Sequence, residues 1–229
     1  MPRRSGQHNG IAGDMLANER NMWLREPSCV VAGVDEAGRG PLAGPVYAAA
    51  VVLPPLTAEL LYSDTLAGLT DSKQLNAGRR EVYFEVLVSE PDILIGVGWC
   101  SAAEVDEFNI LGATALAMRR ALENLPQSAD HALVDGLPIK GLPCAATAIV
   151  HGDARSLSIA AASVVAKVKR DRYMEELDLH YPAYGFAANK GYGARSHIEA
   201  LFRHGPCPEH RRSFRPVQDA LQFFPGLLE

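Results

Sequence analysis

The 229-residue sequence has no apolar run of roughly 18 residues, the length a bilayer-spanning helix needs, so no membrane span is expected. Cysteine is scarce. Cys29, Cys100, Cys144 and Cys207 are scattered, with no C-x-x-C pair and no zinc-ligand spacing. That excludes a disulfide framework and reads as isolated reduced thiols in a cytoplasmic protein. There is no excess of positive charge: the net charge is −5. A broad basic grip on nucleic acid, which works by releasing counterions through many Lys and Arg contacts, is therefore not expected. P-loop, G-x-G-x-x-G and Ser-His-Asp arrangements are also missing. Residues 1–28 never reach an apolar core followed by a small-residue cleavage site. They read as a flexible N-terminal extension with a short helix near Asn18–Leu24, not a secretory signal.

What is present is enough apolar sequence, 48%, to bury a sizeable core. Cys29–Asp35 is apolar and β-branched, as a buried strand requires. A Gly/Pro-rich turn, Gly38–Pro45, leads to a second strand over Val46–Leu53, antiparallel to the first. Leu56–Leu69 reads as an irregular connection. Helical spacing over Arg79–Ser89 puts Val82, Phe84 and Leu87 inward, and Ile93–Trp99 is a third strand. Ala102–Leu125 repeats Val105, Phe108, Leu111, Ala115, Met118 and Leu122 at spacings of three and four, the pattern of one buried helix face. Ser101 and Glu104 form a capping-box signature before it. His131–Val134 and Ala145–Val150 read as strands, and Ser156–Leu179 as a long helix capped by Ser156. A further short helix lies near Ser196–His204. This order predicts an α/β fold, a mixed central sheet flanked by helices. We divide it into a catalytic domain, residues 29–180, and a helical C-terminal extension, residues 181–229.

Four carboxylates stand at strand ends. Asp35 and Glu36 close the first strand. Buried charge there is unfavourable unless paired or metal-bound, although a strand that simply ends would leave both in water. Adjacent strand residues face opposite ways, so both acids reach one ion only if the chain bends, as Gly38 and Gly40 permit. Asp135 precedes Gly136 and Asp153 follows Gly152. A strand-end Asp-Gly also serves as a turn. Together the four propose an oxygen-only site for Mg²⁺ or Mn²⁺, the chemistry of metal-assisted phosphodiester hydrolysis. Asp171 is the rival fourth acid, but it lies between basic residues on the long helix and reads as an ion pair. His151 and His197 read as neutral structural histidines, and Ser163 as a close-packing residue. Lys190–Arg215 carries six Lys and Arg against two Glu, a local basic surface or simply solvated charge.

The run Val34-Asp35-Glu36-Ala37-Gly38-Arg39-Gly40-Pro41-Leu42-Ala43-Gly44-Pro45-Val46 resembles the opening signature of the ribonuclease HII family. Asp71-Ser72-Lys73-Gln74-Leu75, Phe108–Leu111, Val134–Gly136, Gly152–Ser156, Ile159–Val168, Asn189–Gly193 and His210–Phe214 follow in that family's order. The resemblance spans about residues 29–217. It implies a ribonuclease H-like fold and an endoribonuclease that hydrolyses the RNA strand of RNA–DNA hybrids. It also implies cleavage at single ribonucleotides embedded in duplex DNA, leaving 5′-phosphate and 3′-hydroxyl ends. It assigns Asp35, Glu36, Asp135 and Asp153 to catalysis, with Asp35, Glu36 and Asp135 as metal ligands. Gly38, Arg39 and Gly40 would approach the ribose 2′-hydroxyl, Lys73 a phosphate, and Tyr192 the sugar at the RNA–DNA junction. Without the resemblance, Tyr192 would read as turn packing and Lys73 as solvated. Ala194 departs from the pattern, standing where Thr often follows Gly-Tyr-Gly. A monomer is expected, with nucleic acid and metal as its partners. Two rivals remain open: a hybrid-binding module without catalysis, and another metal nuclease of the same fold.

Overall fold

The computed structural model describes residues 14–69, 72, 75–224 and 226. An N-terminal helix, α1 (Ala17–Arg25), matches the helix expected near Asn18–Leu24 and is docked rather than loose. Its Glu19 is buried and accepts hydrogen bonds from the Ser156 hydroxyl (2.6 Å), the Ser158 hydroxyl (2.7 Å) and the Ser158 N–H (3.0 Å).

Five strands follow: β1 (Val31–Ala37), β2 (Val46–Val52), β3 (Leu94–Cys100), β4 (His131–Asp135) and β5 (Ala145–Ile149). They form a mixed sheet in the order β3-β2-β1-β4-β5, antiparallel from β1 through β2 to β3 and parallel from β1 through β4 to β5. The sheet is mixed as expected. Only β1 and β2 follow one another directly as an antiparallel pair. The chain reaches β3 through two helices and β4 through one, and β5 follows β4 with no helix between.

Helices cover both faces. The long connection after β2 contains α2 (Pro55–Ser63), where an irregular segment was expected. Pro55 occupies the first helical turn, where its fixed φ and missing N–H suit helix initiation. Next, α3 (Ala77–Ser89) buries Tyr83, Phe84 and Leu87; Val82, expected inward, is 63% exposed. On the opposite face, α4 (Ala102–Glu123) begins with the expected Ser101–Glu104 capping box. It is interrupted at Asn109 (φ 55°, ψ 170°), whose Oδ1 caps the second segment by accepting from the N–H groups of Leu111 (2.9 Å) and Gly112 (3.2 Å). The break shifts the helical register. Val105, Met118 and Leu122 are buried as expected, while Phe108 and Leu111 are 41% and 66% exposed.

The long helix α5 (Leu157–His180), capped by Ser156, lies across the other face. Contact there is backbone to backbone: a Cβ at Gly33 of β1 would fall 2.0 Å from the Ser158 carbonyl carbon. One core layer joins β2 to α3 and α5, and a second joins β1 and β2 to α4. The C-terminal part adds α6 (Phe186–Asn189), α7 (Arg195–His204) and α8 (Arg215–Leu221). No helix among the described residues is long and apolar enough to cross a membrane.

Candidate active site

Strand alternation decides which acids meet. Val31, Leu133 and Ile149 of β1, β4 and β5 pack with Ile159 on the α5 face, so Asp35 and Asp135, at the same parity, emerge on that face too. After β5, His151 takes a left-handed conformation (φ 54°), and a single 3-10 turn, Gly152–Ala154, carries Asp153 inward. Carboxylate oxygens of Asp35, Asp135 and Asp153 thereby lie within 4.8 Å of one another. Glu36 follows Asp35 inside the strand, paired with Ala48. The chain does not bend there, and Glu36 is not part of this three-acid group. It lines the adjoining cleft with Arg39, whose Nη1 lies 3.3 Å from Glu36 Oε1.

The backbone orients two of the acids. Asp35 Oδ1 accepts from the Glu36 N–H (2.7 Å), and Asp135 Oδ1 accepts from the Gly152 N–H (2.7 Å). Asp35 Oδ2 is buried and has no hydrogen-bond partner among the described residues. Burial, followed by the nearby Glu36 carboxylate, pushes the Asp35 carboxyl well above its ordinary range, and Asp135 adds to this. The Ser163 hydroxyl acts the other way. Ser163 also shares a hydrogen bond with Ser72 (2.8 Å), so it is more than a packing residue. Three converging carboxylates with a buried orphan oxygen fit a hard divalent cation, which would satisfy that oxygen and relieve the repulsion.

Beside the acids opens a cavity of about 490 Å³, lined by Glu36, Gly38, Arg39, Gly40, Ser72, Ile110, Lys167, Arg170 and Tyr192. It brings together the Gly-Arg-Gly turn and Tyr192, two motifs far apart in sequence. Tyr192 is half-exposed, and a Cβ at Gly40 would lie 3.6 Å from its Cε1. Lys73 and Asp71 lie outside the described residues. Asp171 is not in the acid group; it pairs with Lys167 (2.5 Å), as its position between bases led us to expect.

Sequence reasoning missed what holds this cavity in shape. Arg170 and Arg211 are both buried. Arg170 donates to the carbonyls of Pro45 (3.0 Å), Lys190 (3.0 Å) and Ala43 (3.3 Å). Arg211 donates to those of Gly38 (2.6 Å), Arg39 (2.9 Å) and Gly44 (3.0 Å). Burial pulls both guanidinium pKa values down, that of Arg211 to about 9. Gly38, at φ +97°, is required here twice over, since a Cβ would fall 2.0 Å from Arg170 Nε. The basic run 190–215 is partly internal and partly ion-paired at the surface. Arg211 is internal, and Lys190, Arg195 and Arg215 pair with Glu175, Glu199 and Asp219.

Tyr192 is held by a chain of neutral imidazoles. The Cys207 N–H donates to His210 Nδ1 (3.0 Å), which leaves the His210 ring hydrogen on Nε2, aimed at His197 Nε2 (3.0 Å). His197 Nδ1–H in turn donates to the Tyr192 carbonyl (2.8 Å). Burial depresses both histidines, His210 to about 4, with its neighbour His197 the second cause. The Ala194 N–H donates to the same carbonyl (2.8 Å), so the Tyr192 backbone is fixed without a hydroxyl at position 194.

Comparison with known proteins agrees with this geometry. The family model described as Ribonuclease HII matches residues 32–217. A ribonuclease HII of Syntrophotalea carbinolica is 53% identical over 191 residues, 83% of this chain and 88% of that protein. One from Granulibacter bethesdensis is 52% identical over 198 residues, covering 86% and 89%. Among solved structures, ribonuclease H2 from Pyrococcus horikoshii superposes with a TM-score of 0.70 at 29% identity, over 85% of this chain and 98% of that one. Bst-RNase HIII in complex with Mn²⁺, at 21% identity over 86% of this chain and 70% of its own, shares the fold with a TM-score of 0.67. The chain therefore belongs to the ribonuclease HII family and is a ribonuclease H, an endonuclease of the hydrolase class.

Proposed function

We propose that this ribonuclease H cuts the RNA strand of RNA–DNA hybrids and also cuts at single ribonucleotides within duplex DNA, leaving 5′-phosphate and 3′-hydroxyl ends. Asp35, Asp135 and Asp153 would hold divalent cations, Mg²⁺ or Mn²⁺, with Glu36 completing the set from the neighbouring cleft. The observation that carries this reading is the three-acid group with the buried, partnerless Asp35 Oδ2 beside the cavity of Tyr192 and the Gly-Arg-Gly turn. Bound cations supply an activated water and stabilise charge on the phosphate. The protein's own groups do the rest. The backbone N–H groups of Glu36 and Gly152 keep the carboxylates aimed at the cleft. Gly38, Arg39 and Gly40 let the backbone approach a 2′-hydroxyl, the atom that distinguishes RNA from DNA. Tyr192 offers a flat face to the deoxyribose that follows, Lys73 contacts a phosphate, and residues 181–229 close over the substrate. In this reading the enzyme works as a monomer in the cytoplasm.

The test is a DNA duplex with blocked ends and one internal ribonucleotide, incubated with Mg²⁺, Mn²⁺ or EDTA. A single cut at the ribonucleotide with either metal, none in EDTA and none in an all-DNA duplex is expected. Cutting in EDTA would remove the metal from the reading, and a requirement for free ends would make the enzyme an exonuclease.

A further inference from the structure

We propose that Arg211 is a positioning residue whose guanidinium turns the backbone N–H groups of Arg39 and Gly40 into the substrate cavity. This rests on the reading that the Gly38–Gly40 turn recognises the ribose. The geometry begins with two successive carbonyls: Gly38 O accepts from Arg211 Nη2 at 2.6 Å, and Arg39 O accepts from Nη1 at 2.9 Å. In a trans peptide the N–H points opposite to the C=O, and the described residues contain no cis peptide. The two peptides that give their oxygens to Arg211 therefore send the Arg39 and Gly40 N–H groups away from it. Arg39, Gly40 and Tyr192 line the cavity and Arg211 does not, which places the guanidinium and the cavity on different sides of the turn.

Neither N–H donates to another described residue, and both residues are exposed while Gly38 beneath them is buried. An extended strand would point successive carbonyls to opposite sides. Here both point the same way, so the two donors lie side by side. Such a pair of N–H groups suits one oxygen acceptor with two lone pairs, a sugar hydroxyl or a phosphate oxygen. The Tyr192 ring stands beside Gly40, so the donors and the flat face address neighbouring sugars.

The fork explains why an arginine is needed. Its nitrogens are coplanar with fixed directions, and Nε is used as well, on the Gly44 carbonyl at 3.0 Å. A lysine has one nitrogen and cannot hold three carbonyls in one plane. Arg211 forms no ion pair among the described residues. A fully buried cation that spends its hydrogen bonds on carbonyls, with the Phe214 ring against its face, is an expensive way to stabilise a loop, and its expected return is the orientation of the turn. Tyr192 is kept in place by a separate set of contacts, through His197, so the two halves of the cavity can be perturbed independently.

The test measures binding in EDTA, where nothing is cut, to a duplex with one ribonucleotide and to the same duplex in all-DNA form. The wild-type protein is expected to prefer the ribonucleotide duplex by about 3- to 10-fold, the worth of one or two hydrogen bonds. Arg211→Lys keeps the charge and should lose that preference while holding the all-DNA duplex as before. Retention of the preference overturns the proposal. So does an equal loss on both duplexes, which a purely structural role would give. Absence of any preference in the wild type would sink the ribose reading itself, a separate failure. Amide exchange in the ¹⁵N-labelled wild type needs no variant. The Arg39 and Gly40 N–H groups should exchange freely in the unbound protein and become protected with the ribonucleotide duplex. Protection before any duplex is added overturns the proposal even if the lysine variant does not fold.

Discussion

Asp35 and Arg211 are buried ionisable side chains at one cleft, and the protein treats them in opposite ways. Arg211 has three backbone carbonyls around it. Asp35 has one oxygen on a backbone N–H, the other without a partner among the described residues, and three more carboxylates nearby. Arg170, His197 and His210 follow the pattern of Arg211, each with directed partners. Buried charge that is already satisfied belongs to the scaffold. At Asp35 the unsatisfied oxygen lies among further acids and is prepared for something that comes from outside. The Glu19 carboxylate also has one oxygen without a partner among the described residues, but it is anchored by three hydrogen bonds on the other. The same contrast separates the sheet end, where repulsion accumulates, from the C-terminal part, where hydrogen bonds are nearly saturated.

The largest expected effect breaks the acid side. Asp135→Asn keeps size and removes charge, so cleavage should fall to background while the fold and hybrid binding persist; Asp153→Asn should behave alike. In thermal unfolding, Mg²⁺ or Mn²⁺ should raise the wild-type midpoint and leave that of Asp135→Asn unmoved. Near-normal turnover by the folded Asp135→Asn protein would end the metal assignment. Next, Tyr192→Ala removes one stacking face, worth about 1–3 kcal/mol or roughly 5- to 150-fold in rate. The loss should fall mainly on a single-ribonucleotide duplex and less on a continuous hybrid. Equal losses on both would make Tyr192 a general packing residue.

A third test addresses the satisfied side through pH. Because folding depresses His210 to about 4, the unfolded chain takes up the proton first, below about 6.5. Stability from this group is therefore complete above about pH 6.5 and drains away as the pH falls toward 4, by at most about 3 kcal/mol. Urea unfolding at pH 7 and pH 4.5 should show a steeper loss for the wild type than for His210→Gln. Parallel losses would mean that the relay is not what resists protonation. Smallest of all, Asp171→Asn removes a helix ion pair worth about 0.5 kcal/mol and should leave turnover close to that of the wild type. An inactive Asp171→Asn beside an active Asp153→Asn would reverse the roles of the two acids.

Much of this was legible in the sequence, for reasons that differ from residue to residue. Strand-end acids stand out because an apolar run ends on a charge, and alternation then sorts Asp35 from Glu36 once the register is known. The Ser101–Glu104 box is a local signal and was read correctly. The break at Asn109 was not, since Phe108 and Leu111 continue the apolar repeat across it and only the backbone angles betray the interruption. Arg170 and Arg211 were invisible as scaffold because a buried arginine and a solvated one are written with the same letter. Their partners, backbone carbonyls, leave no trace in composition. Glu19 likewise gave no sign that it would bond to the start of α5.

The bond from Arg211 to Gly38 joins residues 173 positions apart, and that from Glu19 to Ser158 joins residues 139 apart. This gives the chain an order of completion as it is synthesised. All four acids have been made by the time Asp153 is added, and the partner of Glu19 is made once Ser158 follows. The Gly38–Gly40 turn waits longer, because the guanidinium that holds its carbonyls arrives near the end. A nascent chain stalled between those points has the carboxylates for cutting without the fixed turn for choosing. Closing such long loops is also slow, and in the ribosome's own sequence of events the groups that cut precede the guanidinium that fixes the selecting turn.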